Sequence, residues 1–421
     1  MSVARVLHGL VLASLLVSPG FGGGNKFEWS TQSTEAKALI TELQARIENF
    51  QLGAGTVDVA RKLVAADPNF AMGVYYLSAV VPSPEAEEQL ERAVELAKTA
   101  SDGERRFIET MSLARANGGA NFQAAIDPLE KLAEDYPDER LVQMILGQIY
   151  LGTQNGEKAR SAFERAQTIG PPSQRARSFL ANDDLMRGEY EKARASFESI
   201  EKELPEGAVP APIRYGVTFS YLYQDNVDAA IESLETYLDE YRDSGAAQGF
   251  PEVFIWNSIA RINLENGRLA KAMDAYEKGY ESVPGSSLPE DQKQLWFGRL
   301  LHGRCRVLSK MGKHDEAWSV AENVRKMIED GGEAAQQYLP AYHYLVGYLM
   351  LEKGETQKAV EHLKQANATD PFQTLLLARA YDRLGDDEKA RSAYQSVVDS
   401  SANGLERALA FTEAKRRLAE I

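Results

Sequence analysis

One cysteine stands among 421 residues, Cys305, so no disulfide can form within the chain. Its place at a small-residue position of a helical pattern predicts a buried side chain rather than a reactive thiol. Histidine is almost as scarce, at five residues. His8 falls in an N-terminal apolar run, and His302, His314, His343 and His362 show neither an H-E-x-x-H spacing nor a cysteine partner, so no metal motif is present. G-x-S-x-G and G-x-x-x-x-G-K-[ST] are missing, and the one glycine cluster, Gly22-Gly23-Gly24, precedes no strand pattern. Neither catalysis nor a cofactor is expected. Basic residues are outnumbered 47 to 62, a net charge of −15 that repels nucleic-acid phosphates and anionic lipid.

Long apolar runs are missing too. The run from Val6 to Val17, preceded by Arg5, falls short of the roughly 20 residues needed to span a bilayer. It suits a secretory signal over residues 1–24, cleaved after Gly20 or within Gly22–Gly24; the alternative is a disordered apolar N-terminus. No cysteine follows closely enough to carry a lipid, so the expectation is an exported protein, periplasmic or secreted, of bacterial type.

What the chain does have is a repeated pattern, clearest from Asp138 to Pro172. Leu146, Gly147 and Tyr150 mark one face of a first helix, and Ala159, Phe163 and Ala166 mark one face of a second, with a polar turn at Thr153–Glu157 between them. Small residues sit where two helix backbones would come closest, and large ones fill the space beside them.

The alanine opening the second helix recurs at Ala125, Ala159, Ala193, Ala230, Ala272, Ala317, Ala359 and Ala390. Four places later stand Leu129, Phe163, Phe197, Leu234, Tyr276, Ala321, Leu363 and Tyr394, of which only Ala321 is small. A turn glycine precedes the alanine by five residues at Gly188, Gly267, Gly312, Gly354 and Gly385, and closing prolines fall at Pro68, Pro137, Pro171, Pro205, Pro284 and Pro371.

This spacing resembles the tetratricopeptide repeat, with its large–Leu–Gly–Tyr first helix, Ala–aromatic–Ala second helix and closing proline. The resemblance covers roughly residues 35–404. It implies an all-α, right-handed superhelical solenoid of about ten helix pairs, acting as a protein-interaction scaffold without catalytic activity.

The expected organisation is a polar lead-in at 25–34, divergent repeats over 35–105, regular repeats over 106–207, repeats with longer spacers over 208–402 and a capping helix at 403–421. In that helix Leu405, Ala408, Leu409 and Leu418 would cover the last pair. The uncharged stretch Ala334–Leu351 holds four tyrosines and Pro340, which favours a buried first helix over a membrane segment.

One charge anomaly suggests a binding site. Between Gln292 and His314 there is no acidic residue, while Lys293, Arg299, Arg304, Arg306, Lys310 and Lys313 are present. In the frame of the resemblance, the groove-facing positions of a first helix starting near Gly298 hold Arg299, His302, Arg306 and Lys310, flanked by Asn257 and Arg261 on one side and Tyr344 and Tyr348 on the other.

Such a patch would grip an acidic peptide or protein segment. The alternative is that neighbouring acids, including Glu252, Glu265 and Glu281, neutralise it internally. Carboxylate-binding arrays of the family place lysines where this chain has none, so that activity does not transfer. A second functional reading is an envelope component that self-associates. An unrecognised hydrolase is a remote third.

Overall fold

The structure is a computed structural model that describes residues 26–51, 53–119, 121–170, 172–204, 209–243 and 251–421. The expected signal segment, Pro171 and Pro205 lie outside the described residues. Among the described residues there are helices and turns and no strand.

The chain divides into two units, Met1–Arg187 with Ala195–Pro210 and Gly188–Arg194 with Ala211–Ile421. The first unit contains α1 (Thr34–Glu48), α2 (Ala54–Ala66), α3 (Ala71–Val80), α4 (Glu85–Ala97), α5 (Asp102–Gly119), α6 (Phe122–Asp135), α7 (Arg140–Gly152), α8 (Gly156–Thr168) and α9 (Gln174–Met186). Next in the chain comes α10 (Tyr190–Glu203). The second unit contains α11 (Ala211–Leu222), α12 (Val227–Asp243), α13 (Glu252–Glu265), α14 (Leu269–Glu281), α15 (Glu290–Lys310), α16 (His314–Asp330), α17 (Leu339–Lys353), α18 (Thr356–Leu363), α19 (Pro371–Arg383), α20 (Asp387–Asp399) and α21 (Leu405–Glu420), with one short helical stretch, Gly332–Tyr338, leading into α17. Inside each unit every helix packs on the next one in the chain.

The packing follows the small-residue register. All eight helix-opening alanines are buried, as are their eight companions four residues on. Gly147 of α7 lies so near α8 that a Cβ there would come within 2.5 Å of Phe163 Cε1. The same relation recurs sixteen residues apart between Gly347 of α17 and Leu363 of α18, at 2.6 Å. Close approach there needs a residue without a side chain.

The turn glycines have a second reason. Gly188, Gly267, Gly312, Gly354 and Gly385 all have φ between 73° and 88°. Where the repeat lacks glycine, Gln154 and Asp225 take the same left-handed conformation at φ 61° and 55°. The chain reversal is therefore fixed by the fold and glycine only eases it.

Two expectations change. The lead-in is not merely polar: Phe27 is buried against Phe107 and Tyr136, with ring centroids 6.1 and 5.0 Å away, and its N–H donates to the Glu139 carboxylate at 3.2 Å. Pro371 opens a helix rather than closing one. It is the first residue of α19, with the Asp370 side chain accepting from the N–H groups of Phe372 and Gln373.

Candidate functional site

Arg299, His302, Arg306 and Lys310 stand three and four residues apart on α15, which places them on one stripe of that helix. α13 contributes Asn257 and Arg261, and α17 contributes Tyr344 and Tyr348. Because α13 and α17 both pack on α15, the eight predicted residues belong to three adjoining helices of the second unit. The helix carrying the stripe begins at Glu290, eight residues before Gly298.

Half of these residues are engaged internally. Arg306 is 4% exposed and donates to Tyr344 Oη and Tyr276 Oη, both at 3.0 Å. Lys310 Nζ lies 3.4 Å from Glu265 Oε2, and Tyr348 Oη donates to Glu265 Oε1 at 3.3 Å. Glu265 thus neutralises one end of the stripe, as the alternative reading anticipated. Glu252 does not serve that purpose: it accepts from Trp256 Nε1 at 2.7 Å and pairs with Arg242.

The other four are less committed. Arg261 is buried over the Phe372 ring, 4.9 Å from its centroid, and its nearest carboxylate is Glu406 at 3.9 Å. Among the described residues its Nε and Nη2 have no hydrogen-bond partner. His302 stacks on Tyr344 with centroids 6.2 Å apart. Burial, and after it the charges of Arg306, Arg299 and Arg261, push its pKa down to about 3, so this imidazole is neutral at physiological pH.

Arg299 is exposed, lies over the Trp296 ring at 4.9 Å and makes no ion pair among the described residues. It shares a shallow cleft with Asn257, Tyr276, Tyr280 and Trp296. The arrangement offers two cations and an amide beside aromatic walls, with one carboxylate near them.

The sequence reading missed α21 as part of this neighbourhood. Besides packing on α19 and α20, it touches α11 and α13, and it brings Glu406 to Arg261. The available signal was Ala410 and Ala414, one helical turn apart on a face separate from the Leu405–Leu409 stripe; both are fully buried. Among the described residues no group of three His, Cys, Asp or Glu side chains could hold a metal, and no helix is long and apolar enough to cross a membrane.

Helix pairs stacked in chain order, with Gly and Ala at the tight crossings, define a helical-repeat protein. Models of the tetratricopeptide repeat match residues 113–174 and 220–287, residues 375–403 and residues 174–199. The matched residues are tetratricopeptide repeats.

The fold is similar to that of PilW, a widely conserved type IV pilus biogenesis factor, at 18% identity and TM-score 0.41 over 56% of this chain and 98% of that one. It is similar to yeast Tom70 at 10% identity and TM-score 0.45, covering 92% and 88% of the two chains. Human IFIT1, in a dimer with m7Gppp-AAAA, is similar at 14% identity and TM-score 0.44, with 94% of each chain covered. No curated protein matches the sequence.

Proposed function

We propose that the protein is an exported, non-catalytic adaptor that binds an acidic segment of another protein through the Arg299–Asn257 cleft and the Arg261 guanidinium behind it. Tetratricopeptide arrays offer extended surfaces to protein partners, which supports the general role. The particular site rests on one observation: Arg261 is buried with two nitrogens unpartnered. A buried cation with unmade hydrogen bonds is costly unless something completes it, and a carboxylate does so best.

The test is fluorescence anisotropy with a glutamate-rich peptide. Arg299→Glu is the informative variant because Arg299 is exposed and holds no structural bond, whereas reversal at Arg306 would break the core. A loss of about 10- to 100-fold is expected, with unchanged mass in size exclusion. Equal affinity of variant and wild type refutes the site, and a shift in mass would favour the self-associating envelope component. Export is checked by N-terminal sequencing of the mature protein, with a start between Phe21 and Asn25 expected.

A further inference from the structure

Between Gly404 and Ala414 no residue of α21 and its N-cap is exposed: Leu405, Arg407, Ala408, Ala410 and Ala414 are buried, and the rest are half-buried. A helix that only covered the end of a stack would show one wet face. A helix with no fully exposed residue over its first ten positions packs on more than one neighbour.

Its bonds fit that position. Glu406 faces Arg261 of α13, and Glu413 accepts from Arg379 of α19 through Nε at 2.7 Å and Nη2 at 2.5 Å. Arg407 donates to Tyr223, just past the end of α11, at 2.8 Å. Phe411 meets the Tyr223 ring edge-on, with centroids 5.4 Å apart. Three helices of the second unit, α11, α13 and α19, are therefore bridged by one helix from the C-terminus.

The contacts are of an exchangeable kind. The fully buried side chains from Ala408 to Ala414 are alanines, which release little apolar area to water when a helix leaves. The remaining attachment combines apolar contacts of Leu405, Leu409, Phe411 and Leu418 with the ionic and hydrogen bonds of Glu406, Arg407 and Glu413. The tether is short and wet, with Ser401, Ala402 and Asn403 exposed, while Tyr394 and Val397 of α20 stay buried in the stack before it.

We propose that α21 is a built-in occupant of the inner face of the second unit. The partner is an amphipathic helix with two carboxylates seven residues apart that replaces it. Glu406 and Glu413 lie two helical turns apart on one face of α21, and they mark where those carboxylates dock, on Arg261 and Arg379. This rests on the adaptor reading above and adds to it the partner's shape and the competition that governs access.

The experiment cuts the tether of the full chain, with a protease site placed at 401–403, and adds a fluorescent peptide of residues 403–421 as probe. The expected result is that the cut protein keeps its helical melting curve and takes up the probe. Unlabelled peptide should compete, and a peptide with both Glu406→Lys and Glu413→Lys should compete on the order of tenfold less well or worse. Uncut protein should bind the probe at least about tenfold more weakly, because its own helix is present at a high effective concentration.

Collapse of the melting curve after cutting makes α21 an integral part of the core and overturns the proposal. So does failure of the probe to enter, equal competition by the lysine peptide, or a doubling of mass that shows copies exchanging helices with one another. If the probe fails while Arg299→Glu still abolishes acidic-peptide binding, the adaptor reading stands and only the built-in occupant falls. Probe entry with no effect of Arg299→Glu does the opposite, keeping the exchangeable helix and removing the Arg299 cleft as a binding site.

Discussion

Arg407 Nη1 donates a hydrogen bond to Tyr223 Oη at 2.8 Å, joining residues 184 apart in the chain. The guanidinium is 4% exposed, and its Nη2 also reaches the Val398 carbonyl at 3.2 Å. Tyr223→Phe leaves a buried charged donor without its acceptor, a loss of about 1–3 kcal/mol. Adding Arg407→Met to that variant removes the charge as well and should recover part of the loss. A double-mutant cycle by urea unfolding reads the coupling, and strict additivity would refute the pairing.

Gln154 and Asp225 hold the left-handed conformation that glycine holds in five other turns. Gln154→Gly and Asp225→Gly should each stabilise by roughly 1 kcal/mol, since a side chain is disfavoured there by about that amount. The corresponding rise in Tm is about 2–4 °C for a unit of this size. A fall in Tm for both would show that their side chains matter more than their backbones.

Gly147→Ala should destabilise by about 1–3 kcal/mol. Its new methyl would press on Phe163, a ring stacked at 4.5 Å on Phe179 and unable to retreat. Gly156→Ala, which meets nothing within 4 Å, is the matched control and should be neutral or slightly stabilising. Chemical denaturation of the two variants side by side decides it.

Stability of the first unit should fall as pH rises from 4.5 to about 7. Burial pushes the Glu139 carboxyl up from 4.5 to about 7 against the pull of the Phe27 and Leu141 N–H groups. A raised acid keeps its proton in the folded state while the unfolded chain releases it. Its favourable contribution is therefore present below 4.5 and is lost as pH rises towards 7. The loss is about 1–3 kcal/mol. Glu139→Gln should flatten that slope when Tm is followed by circular dichroism; an unchanged slope would assign it elsewhere.

His302 gives the second unit the opposite slope. Its pKa is lowered from 6.5 to about 3, so its contribution is present above 6.5 and is lost as pH falls below that value. His302→Gln should weaken the acid sensitivity of that unit in the same measurement.

The repeat register was legible because its causes are local. An alanine every thirty to forty-five residues, a large side chain one helical turn later and a glycine at the reversal each answer to the backbone within one helix pair. Glu265 was foreseen as a neutralising residue because it sits on the helix next to the basic stripe. Phe27 was missed for the converse reason, since its partners Phe107 and Tyr136 lie far along the sequence and no periodicity links them.

By itself, then, the sequence determined the helix pairs, their order and the small residues at their crossings, since periodicity and side-chain size act between neighbours in the chain. Only the tertiary structure decided which of the eight candidate side chains remain uncommitted. Arg306 is held by two tyrosine hydroxyls and Arg261 is left with two unpartnered nitrogens, though both are arginines on first helices of adjacent repeats. What separates them is which long-range neighbours the stacking brings within 3 Å, above all where the final helix comes to lie. No residue pattern within either helix encodes that.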